Sequence, residues 1–317
     1  MLLALAGDTM LGRKVAAALS GTPPPALVAP EVVEIARSAD LFVLNLECCV
    51  SERGSPWPAP GKPFFFRAPP RAVETLVELG VGCVTLANNH ALDFGAEALL
   101  DTLDHLGRAG IATVGAGMDA GQARTPAVLD AGGSRLAVVG VTDHPADFAA
   151  GPGQPGVAYA DLAGALPAWL ADAVRQADAD VVLVTPHWGP NMTRAPVPHV
   201  RRCAAELVEA GATLVAGHSA HVFHGVARRV LYDLGDFLDD YAVDPWLRND
   251  LGLLFLVTLD GRGPVRLEAV PLRLGYCHTS LATGRDAAWV RRRFRRACAD
   301  FGTDVAESDG RLVVTWS

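Results

Sequence analysis

A β-strand that stops abruptly in two amides and an imidazole leaves few choices for the rest of a chain. Val81 to Ala87 is a short apolar run; Asn88, Asn89 and His90 follow it directly, and Gly95 comes five residues after the histidine. Apolar residues then recur at helical spacing, at Ala98, Leu99, Leu103 and Leu106. The spacing predicts a strand–loop–helix unit. In open α/β sheets the ligand crevice lies outside the carboxyl ends of the strands, which puts Asn89 and His90 where chemistry is usually done. An asparagine in such a turn can also simply cap the next helix. That explanation covers Asn88 taken alone better than it covers the triplet.

The same arrangement recurs along the chain. Leu2 to Ala6 reads as a strand leaving through a loop at Gly7-Asp8, and Leu41 to Leu44 as one ending in Asn45-Leu46-Glu47. Val181 to Val184 runs into Pro186-His187-Trp188-Gly189, and Thr213 to Ala216 into Gly217-His218-Ser219-Ala220-His221. Pro126 to Leu129 and Arg135 to Val141 predict a hairpin around Gly132-Gly133 that ends in Asp143-His144. Helices are expected over Glu31–Ser38, Arg71–Leu79, up to about Ala177, and over Val200–Ala210. Later segments, Arg229–Leu234, Leu253–Leu259 and Val265–Leu274, read as strands; a basic helix (Ala287–Phe301) and a strand (Leu312–Trp316) close the chain. Strands that first alternate with helices and then cluster predict a layered α/β sandwich with a mixed sheet. No composition break marks a linker, so residues 1–317 are expected to form one domain, with about 285–317 packed on it.

Collected from the strand ends, Asp8, Glu47, Asn89, His90, His187, His218 and His221 are carboxylate, amide and imidazole groups. That is the ligand set of hard-to-borderline divalent metals such as Mn²⁺, Fe²⁺ or Zn²⁺. Singly, Asp8 could cap a helix, Glu47 pair with an arginine and His187 be a satisfied core histidine. Their convergence on one sheet edge argues for a metal site of one or two ions.

Composition narrows the function. The 27 basic and 35 acidic side chains give a net charge of −8, which disfavours nucleic acid as the main partner. The run Arg291–Arg296 is interleaved with Trp289, Val290, Phe294, Ala297, Cys298 and Phe301, the pattern of a solvated helix packed on the core. Six scattered cysteines without Cys-x-x-Cys pairs suit reduced thiols of a cytoplasmic protein. The apolar start, Met1 to Ala6, is too short for a membrane span or a signal peptide.

Gly7-Asp8-Thr9-Met10-Leu11-Gly12-Arg13, Asn45-Leu46-Glu47, Ala87 to Gly95, His187-Trp188-Gly189-Pro190-Asn191 and Gly217 to His221 follow one another in the order seen in the CapA family of poly-γ-glutamate capsule-synthesis proteins. Leu234-Gly235-Asp236-Phe237-Leu238 and Arg248 to Leu253 also resemble blocks of that family, and the resemblance spans roughly residues 2–275. The family is similar to the calcineurin-like metallophosphoesterases. That likeness implies a four-layer αββα sandwich of the metallo-dependent phosphatase type. It implies Asp8 as the first-strand aspartate, Glu47 as the bridging carboxylate and Asn89 as the amide ligand. His187, His218 and His221 match the later histidine ligands, and His90 the general acid.

Two departures from the phosphoesterase pattern stand out. Met10 occupies the place of a histidine, and the last motif is His-x-x-His instead of His-x-His. The chain also starts at its first strand, whereas the capsule proteins typically carry an N-terminal membrane anchor.

The activity expected from this is metal-dependent hydrolysis of a phosphoester or a γ-glutamyl-type amide. A metal-activated water would attack, and His90 would protonate the leaving group. The substrate would be a small molecule or peptide bearing phosphate or carboxylate. Lys62, Arg67 and Asn88 are the candidate substrate-binding residues, the first two flanking Phe64-Phe65-Phe66 on a long loop. Asp236 is either a catalytic carboxylate that orients a histidine ligand or a turn residue. The alternative function is a non-catalytic, polyanion-binding accessory subunit of a capsule synthesis or export system.

Overall fold

The structure is a computed structural model that describes residues 1–22, 24–58 and 60–316. It is a mixed α/β fold built on two large sheets. The first strand, Leu2–Thr9, lies inside the larger sheet, parallel to Leu41–Leu46 on one side and antiparallel to Leu251–Asp260 on the other. Val81–Thr85 and Ala112–Val114 extend it one way. Gly263–Gly275 and Arg311–Thr315 extend it the other way. The smaller sheet centres on Val181–His187, parallel to Ser134–Thr142 and Leu214–Ala216.

Alternation along the first strand sorts its side chains between two cores, as the period of two requires. Leu3 and Leu5 join Val43, Cys83, Leu136, Val138, Leu183 and Leu214 between the two sheets. Ala4 and Ala6 join Leu44 and Val84 on the opposite face. There they meet Val15, Val32, Leu76 and Leu99 of the helices Arg13–Leu19, Pro30–Arg37, Ala72–Leu79 and Gly95–Arg108. The outer face of the smaller sheet, with Val139, Val182 and Val215, packs against Leu170 and Leu207 of helices Ala168–Arg175 and Pro198–Ala210. Helix Gly284–Ala299 buries Val290, Phe294 and Cys298 at the end of the inter-sheet core.

Most of the expected elements are present, with shifted ends. The hairpin Ala127–Ala131/Ser134–Thr142 turns through Gly132 and Gly133, both at positive φ, as a tight two-residue turn demands. The first strand continues past Ala6 to Thr9, so Asp8 lies within it. The third parallel strand stops at Thr85 instead of Ala87, because Asn88 N–H turns back to the Leu86 carbonyl at 2.9 Å. Helix Arg13–Leu19 was not expected. The strand expected at Arg229–Leu234 is instead a tight pair, Val226–Ala227 and Val230–Leu231, with Arg229 between them at φ +68°. A strand the sequence did not suggest, Asp236–Leu238, pairs parallel to the first strand beside Asp8.

Candidate metal centre

Parallel register places three polar residues side by side. Asp8 is opposite Asn45 on one neighbouring strand and opposite Asp236 on the other, and the register shifts at Asp8 in both pairings. Such a bulge re-aims a side chain locally. The close approach of the Asp236 strand depends on Gly7, where a Cβ would lie 1.7 Å from the Gly235 carbonyl oxygen. His187 ends its strand in the second sheet and bridges to His218 of the next segment. Both sheets therefore deliver their carboxyl ends to one place.

Asp8 is the hub. Its Oδ1 accepts a hydrogen bond from Asn45 Nδ2 at 2.8 Å and lies 3.3 Å from His218 Nδ1. Its Oδ2 accepts from Ser219 N–H at 3.2 Å and lies 3.3 Å from His221 Nδ1. Burial alone would push the Asp8 carboxyl up; the bonds to His218 and His221 outweigh it and hold it well below the usual range. Burial and the neighbouring Asp8 charge push Glu47 well up, and burial likewise raises Asp236. Burial drives His187 well down, which favours the neutral imidazole a metal needs. At His221 burial acts in the same sense, but the adjacent Asp236 carboxylate, 2.8 Å from Nδ1, wins and raises it.

Two triads share Asp8: Asp8, Glu47 and His187, and Asp8, His221 and Asp236, each with ligand atoms within 4.8 Å of one another. Several of these side chains, and that of Asn89 next to His90 in the chain, are left incompletely satisfied. Glu47 Oε1, Asn89 Oδ1, His187 Nε2 and Asp236 Oδ2 are buried atoms without a hydrogen-bond partner. Each such atom ordinarily costs about 1–3 kcal/mol. Oxygen and imidazole donors in this number fit one or two divalent ions of the Mn²⁺, Fe²⁺ or Zn²⁺ kind. Met10 is fully buried in the helix-side core, and no cysteine enters either triad.

Around the triads sits a positioning layer that the sequence motifs only partly name. His90 Nδ1 is 2.6 Å from Asp93 Oδ2, and its Nε2 is 3.8 Å from Glu47 Oε1. Its ring meets Phe66 edge-on at 4.5 Å. Asp93 also accepts from Phe66 N–H at 2.6 Å and pairs with Lys62 Nζ at 2.9 Å. Asp233 accepts from the backbone of Ala220 and Gly235, both at 2.8 Å, and so braces the loop carrying His218 and His221. In that loop Ser219 (φ +108°) and His221 (φ +57°) hold left-handed backbone, a cost proteins accept chiefly at functional sites. Asp93 and Asn45 were both visible in the motifs, but nothing in spacing alone shows which carboxylate meets which ring.

Of the three residues expected on the substrate side, Lys62 lines a cleft, while Asn88 and Arg67 are engaged by the protein itself. Asn88 is fully buried; its Nδ2 donates to Asn45 Oδ1 and the Leu46 carbonyl, and its Oδ1 accepts from His90 N–H. It shapes the turn and has no free group for a substrate. Lys62 also donates to the Asn89 carbonyl at 2.7 Å, so its ammonium is already engaged. Arg67 donates to the Arg53 and Gly54 carbonyls and lies 4.1 Å from the Phe94 ring centroid, bracing the long loop. Asp236 Oδ1 lies 2.8 Å from His221 Nδ1. A cleft of about 370 Å³, lined by Trp57, Lys62, Asn89, His144 and Phe148 among others, opens beside Asn89. The His144 ring reaches to 5.2 Å from that of His187.

An α/β protein with a buried carboxylate–histidine centre at converging strand ends is the class these observations define. Residues 2–241 match the model of the bacterial capsule synthesis protein PGA_cap, and the chain belongs to that family. It is 33% identical over 299 residues to a probable polyglutamine synthesis accessory protein of Mycobacterium tuberculosis, covering 87% of this chain and 77% of the relative. It is 28% identical over 312 residues to the PGA biosynthesis protein CapA of Bacillus subtilis, covering 96% and 80%. The capsule biosynthesis protein CapA of Bacillus anthracis is 29% identical over 288 residues, covering 86% and 67%. A crystal structure of a hypothetical protein from Thermus thermophilus superposes with a TM-score of 0.50 at 16% identity, over 87% of this chain and all of that one. That likeness concerns the fold alone. No helix among the described residues is long and apolar enough to cross a membrane.

Proposed function

We propose that this chain is a metal-dependent hydrolase of a phosphoester or a γ-glutamyl-type amide, within the capsule and poly-glutamate synthesis family to which it belongs. Its architecture is read as the four-layer αββα sandwich of the metallophosphatases, formed as one domain. The observation that carries the reading is the set of unpartnered buried atoms on Glu47, His187 and Asp236, all members of the two triads that share Asp8. Asp8, Glu47, Asn89, His187, His218 and His221 would hold one or two ions, with Asp236 orienting His221. A divalent ion there would supply Lewis-acid polarisation and lower the pKa of water near it.

The protein's own groups do the rest. Asp93 holds His90 Nδ1, which leaves the Nε2 edge facing the Glu47 side of the centre. With Nδ1 on Asp93, Nε2 carries a proton only in the imidazolium, which burial disfavours and Asp93 supports, the net shift being downward. In that form the ring would protonate a leaving group at that edge. Lys62 and the Phe66 N–H fix Asp93 in turn. The cleft beside Asn89, with Trp57 and Phe148 in its walls, would take the body of the substrate and keep bulk water away.

A second reading, a non-catalytic accessory subunit, is favoured by one observation: the Mycobacterium tuberculosis relative is named as an accessory protein. The test is a screen of phosphomonoesters, phosphodiesters and γ-glutamyl amides with protein reconstituted with Mn²⁺, Fe²⁺ or Zn²⁺. Turnover that chelator abolishes and the ion restores supports the hydrolase. A protein that binds its metal yet turns over no member of either class favours the accessory reading.

A further inference from the structure

A broad concavity lies outside the metal centre. It has a volume of about 620 Å³, and its walls carry Arg194, Arg292, Arg293 and Arg296 with Trp246 and Trp289. Four guanidinium groups share one hollow in a chain of net charge −8. The helix Gly284–Ala299 shows that this is not a general excess of base. On one side Arg291 and Arg295 both pair with Glu307, at 3.2 and 2.9 Å. On the other side, among the described residues, Arg292, Arg293 and Arg296 form no ion pair, although Asp300 also lines the hollow.

Keeping these groups together has a cost. Burial, with the like charge of Arg194, pulls the half-buried Arg293 guanidinium down to about 10. Among the described residues Arg293 donates only to the Phe223 carbonyl, at 3.2 Å, and its Nε is unpartnered, while its guanidinium lies 5.2 and 5.7 Å from the Phe223 and Trp289 ring centroids. At the rim, Trp246 is 78% exposed, more than any other large apolar side chain among the described residues. An unpaired cation cluster beside an exposed indole is a surface suited to an anionic partner with apolar area of its own.

We propose that this hollow is a binding site for an extended acidic peptide chain, whose carboxylates pair with Arg194, Arg292, Arg293 and Arg296 while its backbone and methylenes lie against Trp246. The spacing fits. Arg292 and Arg296 are separated by about 6 Å along the helix axis, and alternate side chains of an extended peptide repeat at about 6.6 Å. A membrane surface is disfavoured because the cations line a concavity. A nucleic acid would need a series of aromatic platforms, and only Trp246 is freely presented here.

Two loops join the hollow to the metal centre. Asn191, whose Nδ2 is 3.3 Å from His221 Nε2, is three residues from Arg194. Tyr241, with its ring 5.3 Å from that of His221, is five residues from Trp246. Peptide binding in the hollow does not require that centre to hydrolyse anything.

The test uses the full chain in chelator-containing buffer, so a failed hydrolase reading leaves it intact. Fluorescein-labelled decaglutamate is titrated by anisotropy at about 100 mM salt, with a dT10 oligonucleotide and phosphatidylglycerol vesicles as competitors. Arg292→Ala/Arg296→Ala should weaken decaglutamate binding at least tenfold. Arg291→Ala/Arg295→Ala, which removes the same charge from the other side of the helix, should change it less than twofold. Far-UV circular dichroism confirms that each variant is folded. Equal losses in the two double variants would overturn the proposal, as would an absence of decaglutamate binding. A site that binds the oligonucleotide or the vesicles through Arg292 and Arg296 more tightly than the peptide would also overturn it.

Discussion

Replacing His90 by Asn removes one edge of one ring and little else. The amide nitrogen of Asn can take the place of Nδ1 and keep the bond to Asp93, now 2.6 Å long, while the Nε2 edge disappears. The structural loss is then mainly the edge-on contact with Phe66 at 4.5 Å, worth about 0.5–1.5 kcal/mol. No ligand atom of either triad belongs to His90, so metal content should not change. If Nε2 delivers the proton to the leaving group, its removal should slow the reaction by roughly 10²–10⁴-fold, or about 2.7–5.4 kcal/mol of barrier. That loss should appear only where the departing atom needs the proton. The assay compares a nitrophenyl ester or anilide, which leaves unaided, with the matching alkyl ester or alkylamide. A large loss on the alkyl substrate and a small one on the activated substrate is expected. Equal losses on both, or loss of bound metal, would refute the acid role and make His90 a ligand or a structural residue.

Lys62→Met should remove the partner of buried Asp93 and destabilise the fold by about 3 kcal/mol, the low end for a broken buried pair, since Asp93 keeps two other bonds. In kinetics it should lower kcat more than it raises KM; a raised KM with kcat unchanged would return Lys62 to substrate binding. His224 is buried, its Nε2 2.8 Å from the Thr193 carbonyl, and burial lowers its pKa to about 4. Its unfolded value is about 6.5, so the unfolded chain binds more protons between those values. Stability present above pH 6.5 is therefore lost as pH falls toward 4, by about 3 kcal/mol. His224→Gln should flatten that part of the denaturation profile, and an unchanged slope would contradict the assignment. Cys48→Ser/Cys49→Ser should leave metal content unchanged, because both thiols are buried, are raised chiefly by burial and stand outside the triads. Loss of metal from that variant would bring sulfur into the ligand set.

Much of this architecture was legible because the chain states it locally. Each parallel strand is a short apolar run, and the residue types that end the runs at Glu47, His187 and His218 are the ones that meet in space. The Gly132-Gly133 turn declared its hairpin for the same reason: two consecutive positive φ angles suit little else. What stayed hidden is non-local. Nothing in Leu234 to Leu238 announces that Asp236 will lie beside Asp8, a pairing set by strand order and by the missing Cβ at Gly7. The engagement of Lys62 by Asp93, and of Arg67 by loop carbonyls, depends on a long loop folding back over His90. A cation in a sequence carries no mark of whether its partner is a substrate or the protein. The basic run Arg291–Arg296 illustrates the same limit: the helical period gave its apolar face, but only the fold shows Glu307 pairing one flank and leaving the other open.

Whether Asp8, Glu47 and His187 hold a divalent ion can be read from diffraction by crystals grown with Zn²⁺ and recorded at the zinc absorption edge. An anomalous peak is expected within about 2.0–2.2 Å of Asp8, Glu47 and His187 donor atoms, and it should be lost in His187→Ala. A peak elsewhere, or none at that position in zinc-loaded protein, would contradict the metal centre.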